Sequence, residues 1–143
     1  MKNLFLFMAI TLVGLGGCSE KRSQPLAIDN SLTQEEIAAG VLSPEVMWKM
    51  GRVGLASLSP DASRLLYTVT WYNMQENRGV TAIYVRDAAS GEVAQLTDFS
   101  SNNSDPKWNA DGSKIYFLSD LSGSSQIWEM AADGQNPLSL IHI

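Results

Sequence analysis

The sequence predicts an all-β fold, and two observations lead to that prediction. From Gly54 onward, alternating and β-branched segments are separated by turn residues every eight to twelve positions, as in proteins built from many short strands. In addition, one pattern occurs twice. "DASRLLY" begins at Asp61 and "DGSKIYF" begins at Asp111, fifty residues later, which predicts two similar structural units.

The spacing of the turns defines the predicted strands. They are Leu55–Leu58, Leu65–Thr70, Ala82–Arg86, Val93–Leu96, Pro106–Trp108, Lys114–Leu118 and Gln126–Met130. Four antiparallel strands in a unit of forty to fifty residues is the period of a β-propeller blade. Residues 53–137 are therefore predicted to form the first blades, about two in number, of a partial β-propeller.

The repeated Asp has a structural explanation. An Asp in such a turn accepts hydrogen bonds from the backbone of its own turn, and Gly112 tolerates a positive φ. Ala62 stands where that glycine is expected in the first copy, so this turn must differ or be strained. The repeated pattern thus predicts a structural role.

The N-terminus has the pattern of an export signal. Lys2 precedes an apolar run that ends in "LGGC" at residues 15–18, which resembles the lipobox of bacterial lipoproteins. We expect residues 1–17 to be a signal peptide and Cys18 to be the lipid attachment site, placing the protein in the cell envelope, on the periplasmic side or at the outer membrane. The alternatives are an ordinary secretory signal or a membrane anchor with an incidental Cys.

A polar tether, residues 18–32, and a short helical lead, residues 33–52, are predicted before the strands. Thr33 and Glu36 have the spacing of a capping box, and Gly40 ends that helix early. A second helix begins at Ser43, and Gly51 is expected to end it. Its predicted buried stripe consists of Val46, Met47 and Met50.

The composition excludes several functions. The net charge is −5 with scattered basic residues, which disfavours nucleic acid as a partner. The chain has one histidine, His142, and no Gly-x-Ser-x-Gly motif, so it supplies no Ser-His-Asp triad. "NADG" is similar to part of a calcium loop, but Lys107 stands where the first Asp belongs. We predict no catalytic residue, metal or cofactor in this chain.

The loop insertion "WYNMQENRG" contains the predicted functional residues. Trp71, Tyr72, Glu76 and Arg78 are candidates for a substrate-facing surface, because scaffolds place recognition on such loops. The alternative is an ordinary solvated loop. Trp108 and Trp128 are interpreted as core packing between blades.

Residues 43–137 carry a resemblance to a known family. The lead "EVMWKMGRV", the turn "LSPDASRLLY", the loop "YNMQEN" and the late "QIWEMAADG" resemble the N-terminal propeller of bacterial prolyl oligopeptidase-family serine peptidases, of the dipeptidyl aminopeptidase or acylaminoacyl-peptidase type. The resemblance implies a parent protein whose α/β-hydrolase domain hydrolyses short peptides while the propeller screens them. No catalytic position of that family is present here.

The sequence is therefore interpreted as part of a longer protein. Two blades cannot close a ring, so further blades and a hydrolase domain are the expected partners, and the fragment alone should be inactive. Residues 138–143, "LSLIHI", resemble the translation of a sequencing adapter and are expected to be foreign. The alternative is that "PLSLI" forms a fourth blade strand. A non-enzymatic periplasmic lipoprotein like the Tol-system propeller remains the alternative function, followed by propellers of lyases or lactonases.

Overall fold

The structure, a computed structural model, describes residues 24–140. Two short helices, α1 (Gln34–Ala39) and α2 (Pro44–Lys49), precede eight strands in this part of the chain. The strands are β1 (Arg52–Leu58), β2 (Arg64–Asn73), β3 (Arg78–Asp87), β4 (Val93–Gln95), β5 (Asn103–Trp108), β6 (Lys114–Ser119), β7 (Gln126–Ala131) and β8 (Leu138–Ser139). The predicted all-β fold with a short helical lead is confirmed.

The strands form two four-stranded sheets, in the orders β1-β2-β3-β4 and β5-β6-β7-β8. Every neighbouring pair is antiparallel and consecutive in the chain. Each sheet is thus a blade of the predicted partial propeller. In the second blade, Leu138 and Ser139 pair with Glu129 and Trp128 of β7, so the fourth strand falls within "PLSLI". The foreign origin of residues 138–143 stays a prediction, and residues 141–143 lie outside the described residues.

The main core lies between the two sheets. Leu66 and Ile83 of the first sheet pack with Ile115, Phe117 and Met130 of the second. Trp108 and Trp128 are half-buried against this cluster, in agreement with their interpretation as packing residues. Its five buried side chains come from β2, β3, β6 and β7, where successive residues point to opposite faces of the sheet.

The repeated turns have the same backbone conformation. Ala62 has φ 57° and Gly112 has φ 74°, so the first copy holds a non-glycine residue in the left-handed region, as the strain prediction required. Asp61 accepts a hydrogen bond from the Ser63 amide at 3.1 Å, and Asp111 accepts the equivalent bond from Ser113 at 2.8 Å. The structural role of the repeat is confirmed.

The helical lead agrees with its predicted caps but differs in its buried stripe. Thr33 and Glu36 form the capping box of α1, and the Ser43 hydroxyl accepts from the Val46 amide at the start of α2. Val46 is buried, whereas Met47 and Met50 are each 49 % exposed. A two-turn helix brings only one of these three side chains against the strands.

Gly51 has a different role from the one predicted. The C-cap of α2 is Met50, in extended conformation. A Cβ at Gly51 would lie 2.6 Å from Val69 Cγ1 and 2.8 Å from the Trp71 ring. The glycine is therefore required for close packing of the lead on β2.

The segment before α1 is attached to the sheets. Leu26 is only 3 % exposed, and its amide donates to the Phe99 carbonyl at 2.8 Å. This end of the predicted tether is thus fixed. The predicted signal peptide and Cys18 lie outside the described residues. Within residues 24–140, no helix has the length and apolar character needed to span a bilayer.

Candidate functional site

A groove of about 600 Å³ lies between the helical lead and the end of the β2–β3 hairpin. This volume is within the range of small-ligand sites. Its polar and aromatic lining comes from three parts of the chain: Asp29 before α1, Glu45, Trp48 and Lys49 in α2, and Tyr72, Asn73 and Gln75 in β2 and the turn that follows it. We call it the lead–hairpin groove.

Two aromatic rings form one wall of the lead–hairpin groove. Glu45 and Trp48 share a face of α2, because residues three apart are neighbours on a helix. The Trp48 ring meets the Tyr72 ring edge-on, with 5.0 Å between centroids. The Arg52 guanidinium lies 4.5 Å from the Trp48 centroid and 4.6 Å from that of Tyr72. These cation–π contacts fix the two rings against each other.

The opposite wall is held by the hairpin itself. The Asn73 side-chain amide donates to the Ala27 carbonyl at 2.7 Å, and its oxygen accepts from the Glu76 amide at 2.8 Å. One side chain therefore closes the hairpin turn and binds the segment before α1. Together with the buried Leu26, this contact holds the segment before α1 against the sheets.

The charges at the groove are unevenly compensated. A hydrogen bond from the Ser31 hydroxyl lowers the pKa of Asp29, and a bond from its own backbone amide lowers the pKa of Glu45. Both are therefore carboxylates at neutral pH. The Lys49 ammonium donates to both Glu36 carboxylate oxygens, at 2.9 and 3.0 Å, and to the Ser31 carbonyl at 3.0 Å. The ammonium of Lys49 is thus hydrogen-bonded to Glu36 and not to the two groove carboxylates, and its charge also helps to lower the pKa of Asp29.

The four predicted site residues do not form one site. Trp71 and Tyr72 lie in β2 rather than in a loop, because the hairpin ladder continues through the pairs Trp71–Val80 and Tyr72–Gly79. As consecutive strand residues they point to opposite faces. Tyr72 lines the groove, whereas Trp71 donates to the Tyr84 hydroxyl at 3.1 Å.

The other two predicted residues lie at and beside the hairpin turn. Glu76 is in the turn, and its carboxylate is 3.5 Å from the guanidinium of Arg78, the first residue of β3. Arg78 lines a second groove of about 280 Å³ with Asn102 and Asp120. The structure therefore separates Arg78 from the lead–hairpin groove.

Sequence analysis missed Asp29, Glu45 and Trp48 as site residues. The spacing of Glu45 and Trp48 was a usable signal, since it places an acid beside an aromatic ring on a short helix. Asp29 carried no such signal. Its position depends on the burial of Leu26 and on the bond from Asn73, which are tertiary contacts.

Comparison with known proteins agrees with this architecture. Residues 32–141 match the TolB β-propeller domain model. The chain belongs to this family. It is 32 % identical over 126 residues to dipeptidyl-peptidase 5 of Porphyromonas gingivalis, in an alignment that covers 88 % of this chain. The chain spans 17 % of the length of that relative.

Two solved structures show the same fold at lower identity. Acylaminoacyl peptidase from Pyrococcus horikoshii has a TM-score of 0.57 and 18 % identity, covering 68 % of this chain and 15 % of that protein. TolB from Acinetobacter baumannii has a TM-score of 0.52 and 21 % identity, covering 64 % and 21 %. The resemblance to an N-terminal peptidase propeller is confirmed at the level of family and fold.

Proposed function

We propose that this chain is the N-terminal propeller portion of an envelope-anchored serine exopeptidase that hydrolyses short peptides. The observation that carries the proposal is the similarity to dipeptidyl-peptidase 5 over 88 % of the chain. The 126 aligned residues outnumber those of the two sheets and their turns, so the alignment includes more than the repeated blades.

In this proposal the chain contributes recognition and structure but no chemistry. The nucleophilic serine, the histidine base and the oxyanion hole belong to an α/β-hydrolase domain in the remainder of the parent. The two blades begin a ring that restricts access to that domain. The fragment alone is inactive, because it has neither the Gly-x-Ser-x-Gly motif nor a triad.

The test begins with the source DNA beyond codon 137. We expect the reading frame to continue through further blades into a Gly-x-Ser-x-Gly motif followed by Asp and His. The purified longer protein should react with a fluorophosphonate and release coumarin from dipeptidyl or acylaminoacyl amides. A frame that closes a propeller and then stops, or a longer protein inert to both reagents, would refute the peptidase proposal.

Envelope anchoring is proposed from the "LGGC" sequence at residues 15–18. Metabolic labelling with a radioactive fatty acid should mark the wild-type protein, and Cys18→Ser should remove the label and release the protein from membranes. Label retained by Cys18→Ser would place the acyl chain elsewhere. This experiment is independent of peptidase activity.

A second candidate function is a non-enzymatic binding propeller like that of the Tol system. The match to the TolB propeller model and the similarity to the TolB fold favour it. It predicts a longer protein with no reactive serine that co-purifies with a periplasmic protein. The fluorophosphonate experiment therefore separates the two candidates.

A further inference from the structure

We propose that the lead–hairpin groove binds a peptide through a basic side chain, Lys or Arg, and an adjacent apolar residue. This proposal specifies the class of peptide that the groove prefers. It rests on the proposed function only in assuming that the longer protein is exposed to peptides. The groove volume of about 600 Å³ is sufficient for such a pair of side chains.

Charge is the first argument. Asp29 and Glu45 both line the groove, and both are ionised at neutral pH for the reasons given above. Lys49 also lines it, but its ammonium already makes three hydrogen bonds, two of them to Glu36. The Arg52 guanidinium against the two rings adds one more positive charge. Three carboxylates (Asp29, Glu36 and Glu45) against two cations (Lys49 and Arg52) leave a net charge of −1 at the groove, which favours a cation over an acidic group.

The aromatic wall is the second argument. Trp48 and Tyr72 offer ring surface beside the two carboxylates. Ala27, Ile28 and Met74 add apolar surface nearby, and Met74 is 51 % exposed. An apolar residue next to the cation would cover this surface, whereas an isolated ammonium ion would leave it in water.

The rigidity of the walls is the third argument. Arg52 stacks on both rings, the Lys49–Glu36 ion pair joins the two helices at 2.9 Å, and Asn73 binds the Ala27 carbonyl. All of these contacts are made between residues of the chain itself, so little ordering is left for the binding step. The groove is pre-formed.

The experiment uses the longer protein after its serine has been blocked with a fluorophosphonate. The probes are N-acetyl-Lys-Leu-amide and N-acetyl-Gln-Leu-amide, whose blocked ends leave the Lys side chain as the only charge difference. Calorimetry should give a dissociation constant about fivefold lower for the Lys peptide. Glu45→Gln should remove most of that difference, and Tyr72→Ala should weaken both peptides.

Glu35→Gln is the matched control, because Glu35 is an exposed acid in α1 that does not line the groove. It should leave both affinities unchanged. Melting temperatures of all variants check that Tyr72→Ala remains folded, and Tyr72→Phe, which keeps the ring, should retain binding.

Three results would overturn the inference. Equal affinity for the two peptides would remove the role of charge, and an unchanged preference in Glu45→Gln would place the site elsewhere. Binding of neither peptide by the folded wild-type protein would show that the groove is not a peptide site. Peptide binding by a protein that cleaves nothing would refute the peptidase proposal and leave the groove assignment intact.

Discussion

The two copies of the Asp turn predict opposite effects of glycine and alanine. Ala62 and Gly112 occupy equivalent positions with φ 57° and 74°. The left-handed conformation costs an L-residue about 1–2 kcal/mol, whereas alanine gains about 0.4–1 kcal/mol over glycine by restricting the unfolded chain. The difference leaves a net effect of about 0.5–1 kcal/mol. Ala62→Gly should stabilise the fold by this amount, and Gly112→Ala should destabilise it.

Gly112→Ala should have the larger effect of the two. A Cβ at Gly112 would lie 3.3 Å from Pro60 Cδ, so the new methyl group must displace the ring of Pro60 slightly. At Ala62 the methyl group is already present, and its removal only relieves the backbone. The hydrogen bonds that the Asp61 and Asp111 carboxylates accept from the Ser63 and Ser113 amides remain in both variants.

Urea unfolding followed by tryptophan fluorescence measures both effects. The midpoint should rise for Ala62→Gly and fall for Gly112→Ala with an unchanged slope, which shows that the surface exposed on unfolding is the same. The double variant should have a midpoint between those of the two single variants and slightly below that of the wild type. Midpoints that move in the same direction in the two single variants would refute the argument from backbone strain.

Two further predictions concern the core and the titration of the first turn. Ile83→Ala should lower the free energy of unfolding by about 2–4 kcal/mol, since Ile83 is fully buried between the sheets. Ile127 is 41 % exposed, so Ile127→Ala should lower the free energy of unfolding much less in the same urea experiment. Equal losses of stability in the two variants would contradict the assigned core. The Ser59 hydroxyl holds the pKa of Asp61 at about 2, below the ordinary 3.8, so the stability that Asp61 contributes is complete above pH 4 and is lost as the pH falls towards 2. Ser59→Ala should raise that pKa in a carbon NMR titration, and an unchanged value would assign the shift to another group.

The blades were predictable because their signals are local. Alternation, turn residues and the Asp61 and Asp111 repeat are all read within about ten residues, and the hairpins they define join neighbours in sequence. The ends of β2 and β3 were not predictable in this way. The "WYNMQENRG" segment contains Asn and Gly, which indicate a loop, but pairing of Trp71 with Val80 extends the strands to the turn.

The candidate site was less accessible to sequence analysis, because it depends on contacts between distant residues. Tyr72 was identified from its aromatic side chain and its position in the insertion. Its partner Trp48 comes from α2, 24 positions earlier, and the two meet only through the tertiary packing of α2 on the β2–β3 hairpin. The hydrogen bond from the Asn73 side chain to the Ala27 carbonyl holds the neighbouring Asp29 beside them. Neither Asn73 nor Ala27 gives a sequence signal for this contact.

The strand order within each sheet has a consequence for synthesis on the ribosome. Each of the strands β1 to β4 pairs only with its neighbours in sequence. The first blade can therefore form all of its strand pairs before the second blade has been synthesised. Its core residues Leu66 and Ile83 still lack their partners Ile115, Phe117 and Met130 at that stage. The nascent blade therefore exposes an apolar face during elongation, and each new blade covers the one before it while creating the next exposed face.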